Sequence, residues 1–200
     1  MTKNYPVKDF PTISCCGLDC GLCPMYYTKG PSRCPGCCGI NFFNKHPSCS
    51  IITCCVKDHN YETCAECTDF PCSKIDKWDK MDSFISHLVS LSNLRLIKKE
   101  GLDVFIAQQQ RRIELLEELL ENYNEGRSKS FYCLATALLP IEDLEKVFNE
   151  SVKIIKDKNI NPEDIKSKSR ILKENFSNLS KEKSIELKLR KKKLKSDIKQ

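Results

Sequence analysis

Cys15-Cys16-Gly17-Leu18-Asp19-Cys20-Gly21-Leu22-Cys23-Pro24 opens a stretch, closing at Cys72, that holds thirteen of the fourteen cysteines of a 200-residue chain. The first ten residues, Met1 to Phe10, carry neither the apolar run nor the small-residue cleavage site that directs secretion. A cytoplasmic protein is therefore expected. There thiols stay reduced, and closely spaced cysteines read as metal ligands rather than as a disulfide framework. No apolar run approaches the roughly 18 residues of a membrane-spanning helix, and 40% hydrophobic with 30% charged residues describe an ordinary soluble chain. Thiolate-held turns can staple a segment too small to bury a sufficient core of its own. The expected fold is mainly α: an irregular cysteine-rich metal-binding domain over residues 1–76, a helical domain over 77–157, and a basic, helical or partly disordered tail over 158–200.

Within the cysteine-rich part, Cys20-x2-Cys23 places two sulfurs on one tight turn, with Gly17 and Gly21 expected to supply unusual backbone angles. Cys34-Pro35-Gly36-Cys37 forms a second knuckle, and two such knuckles make a closed four-thiolate zinc site. His46-Pro47-Ser48-Cys49 and Cys64-Ala65-Glu66-Cys67 offer a second set of one histidine and three cysteines, although the knuckles could also interleave, with the first and third sharing a metal. Cys16, Cys54 and Cys72 remain for a third metal, a cluster with one open iron, or simple burial. In the adjacent pairs one cysteine is expected to be a spectator, since successive side chains diverge; spacing favours Cys16 over Cys15 and Cys37 over Cys38.

Zinc, about two ions per chain, is the general explanation, and a [4Fe–4S] cluster is the alternative. Cys16-x3-Cys20-x2-Cys23 has the spacing of the cluster motif in radical S-adenosylmethionine enzymes. That chemistry needs a large α/β barrel, whereas residues 77–200 read as helices. Cys23-Pro24 matches the end of a ferredoxin motif without the run of cysteines that precedes it.

The same residues resemble the domain-of-unknown-function family 3795. The resemblance covers about residues 13–76 and rests on Cys16-Gly17-Leu18-Asp19-Cys20-Gly21-Leu22-Cys23-Pro24, Cys34-x2-Cys37, Cys49-Ser50-Ile51-Ile52-Thr53-Cys54 and Cys64-Ala65-Glu66-Cys67-Thr68-Asp69-Phe70-Pro71-Cys72. It implies a small metal-binding domain and favours Cys54 over Cys55. Where the family pattern often has a further cysteine, three positions before Cys49, this chain has His46, which implies an exchange of one zinc ligand for another. His59 and His87 lack a knuckle partner and are expected to be structural or exposed.

Beyond Ser73 the pattern turns helical. Ile75, Trp78, Met81, Phe84, Ile85, Leu88 and Leu91 recur at helical spacing, as do Leu102, Phe105, Ile106, Gln109, Ile113, Leu116, Leu120 and Tyr123 after the break at Gly101. Gly126 is the expected C-cap. Phe131 to Leu139 is apolar almost all round and predicts a buried helix; Pro140 suits the first turn of the next, and Asn161 the N-cap of the last. Ile185, Leu189, Leu194 and Ile198 are weak apolar marks in the tail. Gly126-Arg127-Ser128-Lys129-Ser130 lacks the spacing of a phosphate-binding loop and reads as an ordinary connection. Cys133 reads as a buried, inert thiol.

Charge is concentrated at one end. Residues 1–76 carry seven basic and seven acidic side chains, 77–150 ten and thirteen, and 151–200 sixteen and seven. The basic tail has no aromatic residue beyond Phe176 to stack on bases, so nucleic-acid binding through it is not favoured. Asp19, Glu66 and Asp69 are the local carboxylates that could serve a catalytic metal, and each is expected to be exposed. The reading that results is a non-catalytic zinc protein with a protein partner, in which Cys16, Cys20, Cys23, Cys34, Cys37, His46, Cys49, Cys54, Cys64, Cys67 and Cys72 are the candidate ligands. The alternatives are an iron–sulfur protein with redox or enzymatic chemistry, and a nucleic-acid-binding adaptor.

Overall fold

A computed structural model describes residues 6–47, 49–76 and 81–190. Its α-helices are α1 Ser50–Ile52, α2 Ser73–Asp76, α3 Ser90–Glu100, α4 Leu102–Asn122, α5 Lys129–Leu138, α6 Ile141–Asp157 and α7 Ile165–Glu182. No strand occurs among the described residues; a lone bridge joins Ile13 and Asp19. The protein is mainly helical, with an irregular cysteine-rich part preceding the longer helices.

The long helices follow their apolar periodicity. In α4, Phe105, Gln109, Ile113 and Leu116 are buried at steps of three and four, and Gly101, at φ 97°, separates α4 from α3. α5 buries every residue from Tyr132 to Ala137. α6 and α7 pack together through Leu144, Phe148 and Ile155 on one and Leu172, Phe176 and Leu179 on the other.

Several sequence expectations are corrected locally. The stripe from Ile75 to Leu91 is not one helix: α2 ends at Asp76, residues 81–89 form bends and turns, and α3 begins at Ser90. Asp82 explains part of the interruption, because its carboxylate accepts from the His87 backbone N–H at 2.8 Å and from the Arg190 backbone N–H at 2.7 Å. Trp78, within that stripe, lies outside the described residues, as do Leu194 and Ile198 of the tail. α4 stops at Asn122, before Gly126, and the Asn124 side chain accepts from the N–H groups of Gly126 and Ser128. Pro140 precedes α6 as its N-cap rather than entering its first turn. Asp164, not Asn161, caps α7 by accepting from the Ser167 N–H at 3.0 Å; Asn161 instead shapes the preceding turn through the Glu163 N–H.

Two apolar clusters share the interior. One gathers α4 to α7 around Tyr132, Leu144, Leu172 and Phe176. The other joins Ile13, Cys15, Cys37, Cys38, Ile51, Ile52, Cys55, Val56 and Ala65 to Leu94 and Ile97 of α3 and Phe105 of α4. The cysteine-rich segment thus completes its core with helices from beyond residue 76.

The docking is tight at the glycines of the opening motif. At Gly17, φ 84°, an added Cβ would lie 2.3 Å from the Ser90 carbonyl oxygen. The Ser90 hydroxyl donates to the Cys16 carbonyl, and Asn93 Nδ2 donates to that of Gly17 at 3.0 Å. Gly21 serves a different need from the expected one: its φ is not positive, but a Cβ there would lie 2.8 Å from Ile113 Cδ1.

Candidate metal centre

The cysteines separate into three neighbourhoods. The most compact is buried: the sulfurs of Cys15, Cys37 and Cys38 lie within 4.8 Å of one another, and the residues are 1%, 6% and 1% exposed. Cys15 Sγ and Cys37 Sγ are 4.0 Å apart. Hydrogen bonds from the thiols of Cys37, Cys38 and Cys55 hold Cys15 far below the ordinary thiol range, and the same contact with Cys15 pushes Cys37, Cys38 and Cys55 upward. Three sulfurs therefore converge, and Cys55 approaches Cys15 from the side of Cys64. Cys38 can join its neighbour Cys37 because its backbone takes the left-handed conformation, φ 58°. The expectation that one of these adjacent residues points away does not describe this pair.

Lys8 faces the same group. It is 5% exposed and donates through Nζ to the Ile13 carbonyl at 2.5 Å, with Glu62 Oε2 at 3.9 Å. Burial disfavours its charge, but Cys15 and Cys37, followed by Glu62 and Cys20, outweigh that and raise its pKa. The Glu62 carboxylate is itself anchored by the N–H groups of Asp9 and Phe10. Nothing in the local sequence around Lys8 marks it as part of a site.

The second neighbourhood is a narrow cavity of about 30 Å³ whose walls include Cys54, Cys55, Cys64, Cys67, Cys72 and His59. Its volume suits a single ion or a water or two. Backbone bonds fix its walls: the Cys64 N–H donates to the Cys15 carbonyl at 2.9 Å, and Lys98 Nζ of α3 donates to the Cys67 carbonyl at 3.0 Å. Glu66 is exposed and accepts from the Thr63 N–H at 2.7 Å, while His59 is exposed and stacks on Tyr61. Cys55 bridges inward, since the Cys64 thiol as well as Cys15 acts on it.

The third is a wide cavity of about 710 Å³ lined by Cys16, Cys20, Cys23, Cys34, Cys49 and His46, with Cys15 and Cys37 at its inner wall. All four cysteines of the first two knuckles line it. Cys34 Sγ lies 3.7 Å from His46 Nε2, and the His46 ring stacks on Phe42 with centroids 4.7 Å apart. Cys49 caps α1, its sulfur accepting from the Ile52 N–H at 3.4 Å. Burial pushes Cys16 up to about 12, with Cys15 and Cys49 acting in the same direction; burial likewise raises Cys20, reinforced by Cys16 and Cys23. Ser14 Oγ, 3.1 Å from Cys16 Sγ, opposes the shift at Cys16. His46 and Cys49 thus face this cavity, whereas Cys64 and Cys67 face the narrow one, so the two knuckles expected to share an ion stand at different cavities.

Asp19, expected to be exposed, is 4% exposed. Burial raises its carboxyl to about 6, opposed by Gln109 and by the charge of Arg112. Gln109 Nε2 spans the Thr12 carbonyl at 3.0 Å and Asp19 Oδ1 at 2.5 Å, tying the motif to α4. Asp69 is exposed, and His87 is buried beside Ser83 Oγ at 3.1 Å, in the bends before α3 rather than in a helix. Cys133 is buried and pushed up to about 12 by that burial. The loop before α5 is occupied by the chain's own acid, Ser128 Oγ donating to Glu125.

The donor set fits a thiophilic ion. A Zn–S bond of about 2.3 Å in a tetrahedron sets sulfurs about 3.8 Å apart, close to the 4.0 Å between Cys15 and Cys37. A bound ion would hold these cysteines as thiolates, and the buried Lys8 ammonium would offset part of the excess negative charge. No protein-family profile, no curated protein and no solved structure matches the chain. No helix of the described residues is long and apolar enough to cross a membrane.

Proposed function

We propose that the chain is a non-catalytic metal-binding protein in which two zinc ions staple the cysteine-rich segment against α3 and α4. One ion takes Cys15, Cys37, Cys38 and Cys55; the other takes Cys54, Cys64, Cys67 and Cys72. The observation that carries the reading is the mutual approach of the Cys15, Cys37 and Cys38 sulfurs within 4.8 Å in the core. The second set borders a 30 Å³ cavity with room for one ion, and its sulfurs, no three of which lie mutually within 4.8 Å, would close in on that ion as it binds. Each position offers four cysteines and the first is buried in the core, which is the pattern of structural rather than catalytic zinc. Asp19, the carboxylate nearest the motif, is engaged by Gln109, which favours a structural over a basic role for it.

On this reading the protein works in the cytoplasm as a binding or adaptor module, with the helical part presented to a protein partner. Membership of the domain-of-unknown-function family 3795 is part of the proposal and rests on the motifs from Cys16 to Cys72. The test is zinc content of the full chain purified without oxygen, alongside Cys38→Ser and Cys67→Ser. Two zinc ions in the parent and one fewer in each variant are expected. Unchanged zinc in both variants, or a parent without metal, overturns the reading.

A further inference from the structure

Within the cysteine-rich segment the two zinc sets leave five cysteines, Cys16, Cys20, Cys23, Cys34 and Cys49, and all five line the wide cavity. A single tetrahedral ion would draw its sulfurs to about 3.8 Å of one another. Among the described residues, the one group of three or more ligand atoms lying mutually within 4.8 Å is Cys15, Cys37 and Cys38. No three of these five sulfurs lie that close together, as is also true at the narrow cavity. A polynuclear cluster tolerates wider separation of its ligands, because each cysteine binds a different iron of the same cluster.

Volume points the same way. The cavity holds about 710 Å³ against about 30 Å³ for the narrow one, and Phe42, Ile51, Ile52 and Ile85 in its walls limit water around a buried group. Cys34 is engaged with His46, which leaves Cys16, Cys20, Cys23 and Cys49 as the set. Three of these come from the opening motif, whose backbone is pinned to α3 and α4, and the fourth from the cap of α1.

We infer that the wide cavity houses an iron–sulfur cluster held by Cys16, Cys20, Cys23 and Cys49, beside the two zinc ions of the proposed function, on which this inference rests. Each ligating thiol releases its proton to solvent as its sulfur binds iron; iron and sulfide come from outside the chain.

The experiment takes the full chain, handled without oxygen, and incubates it with ferrous and ferric iron, sulfide and a thiol reductant. Equal amounts of bound iron and acid-labile sulfide are expected, with the broad visible absorption of thiolate-bound iron and zinc unchanged. Cys20→Ser and Cys49→Ser should each lose most of that absorption and keep both zinc ions, whereas Cys67→Ser should lose one zinc and keep the colour. Two ligand variants are used because Cys20 sits in the docked motif and its replacement can unfold the segment; circular dichroism reports the fold of each. A zinc-loaded protein that takes up no iron, or colour that survives in both folded ligand variants, overturns the inference and leaves the zinc reading standing. A chain that binds neither metal overturns both.

Discussion

Cys15 and Cys37, 22 positions apart in sequence, bring their sulfurs to 4.0 Å of each other inside the core, with the covered ammonium of Lys8 beside them. Two sulfurs at that distance are placed as ligands of a shared ion would be. The pair also joins the two halves of the motif, since Cys15 precedes the first knuckle and Cys37 ends the second.

Lys8→Met keeps the length of the side chain and removes its charge. With thiolates on zinc nearby, loss of the compensating cation should weaken metal retention by about 10- to 100-fold, the usual range for groups that support ligands without touching the metal. Competition with a chromophoric chelator measures this directly, and retention equal to that of the parent would show that Lys8 serves only Ile13 and Glu62.

Gly17→Ala combines a left-handed backbone, φ 84°, with a Cβ 2.3 Å from the Ser90 carbonyl oxygen. A loss of roughly 3 kcal/mol is expected from conformation and overpacking together. Gly30→Ala, at φ 79° with nothing within 4 Å of its Cβ, should lose only about 1 kcal/mol. Urea unfolding of the two variants separates them; equal midpoints would mean that the contact with α3 is easily relieved.

Arg190 closes on Asp82 through Nη2 at 2.8 Å, Nε at 3.1 Å and its own backbone N–H at 2.7 Å. Burial pushes the Asp82 carboxyl upward, but the bonds from Arg190 and from the His87 N–H win and leave its pKa lowered. A depressed folded pKa contributes stability above the unfolded value of about 3.9 and loses it as the pH falls through the folded one. Arg190→Ala should therefore cost about 2 kcal/mol at neutral pH, and the difference from the parent should shrink in acid. Deleting residues 180–200 should cost more, because Ile185 and Leu187 also pack on the core. A thermal melt of the deletion matching the parent would refute that.

Glu125 links the connection before α5 to α7. Burial raises its carboxyl, yet hydrogen bonds from Ser128, Ser169 and Lys173 hold it down to about 2. The sign is the same as for Asp82: the stabilisation is present above the unfolded value of about 4.3 and is lost on acidification toward the folded one. Glu125→Gln should lower stability at pH 7 by about 2 kcal/mol and flatten the pH dependence between about 5 and 2. Chemical denaturation at a series of pH values tests both, and an unchanged pH profile would remove Glu125 from the account.

Sequence by itself determined the elements that depend on local pattern. α4, α5 and α6 were legible because apolar residues at steps of three and four must share one face, and Gly101 marked the break between α3 and α4. The same reasoning failed from Met81 to Val89, where apolar spacing suggested helix but bonds from Asp82 to His87 and to Arg190, 108 positions from Asp82, set the path. Spacing likewise marked the knuckles. Which knuckles meet was decided by packing: α1 turns Cys49 toward the wide cavity, while bonds to Cys15 and Lys98 set Cys64 and Cys67 at the narrow one. The meeting of Cys15, Cys37 and Cys38 beside Lys8 was hidden for the same reason. A ligand group is defined by distances between sulfurs, and those distances arise only when segments far apart in the chain close over a common core.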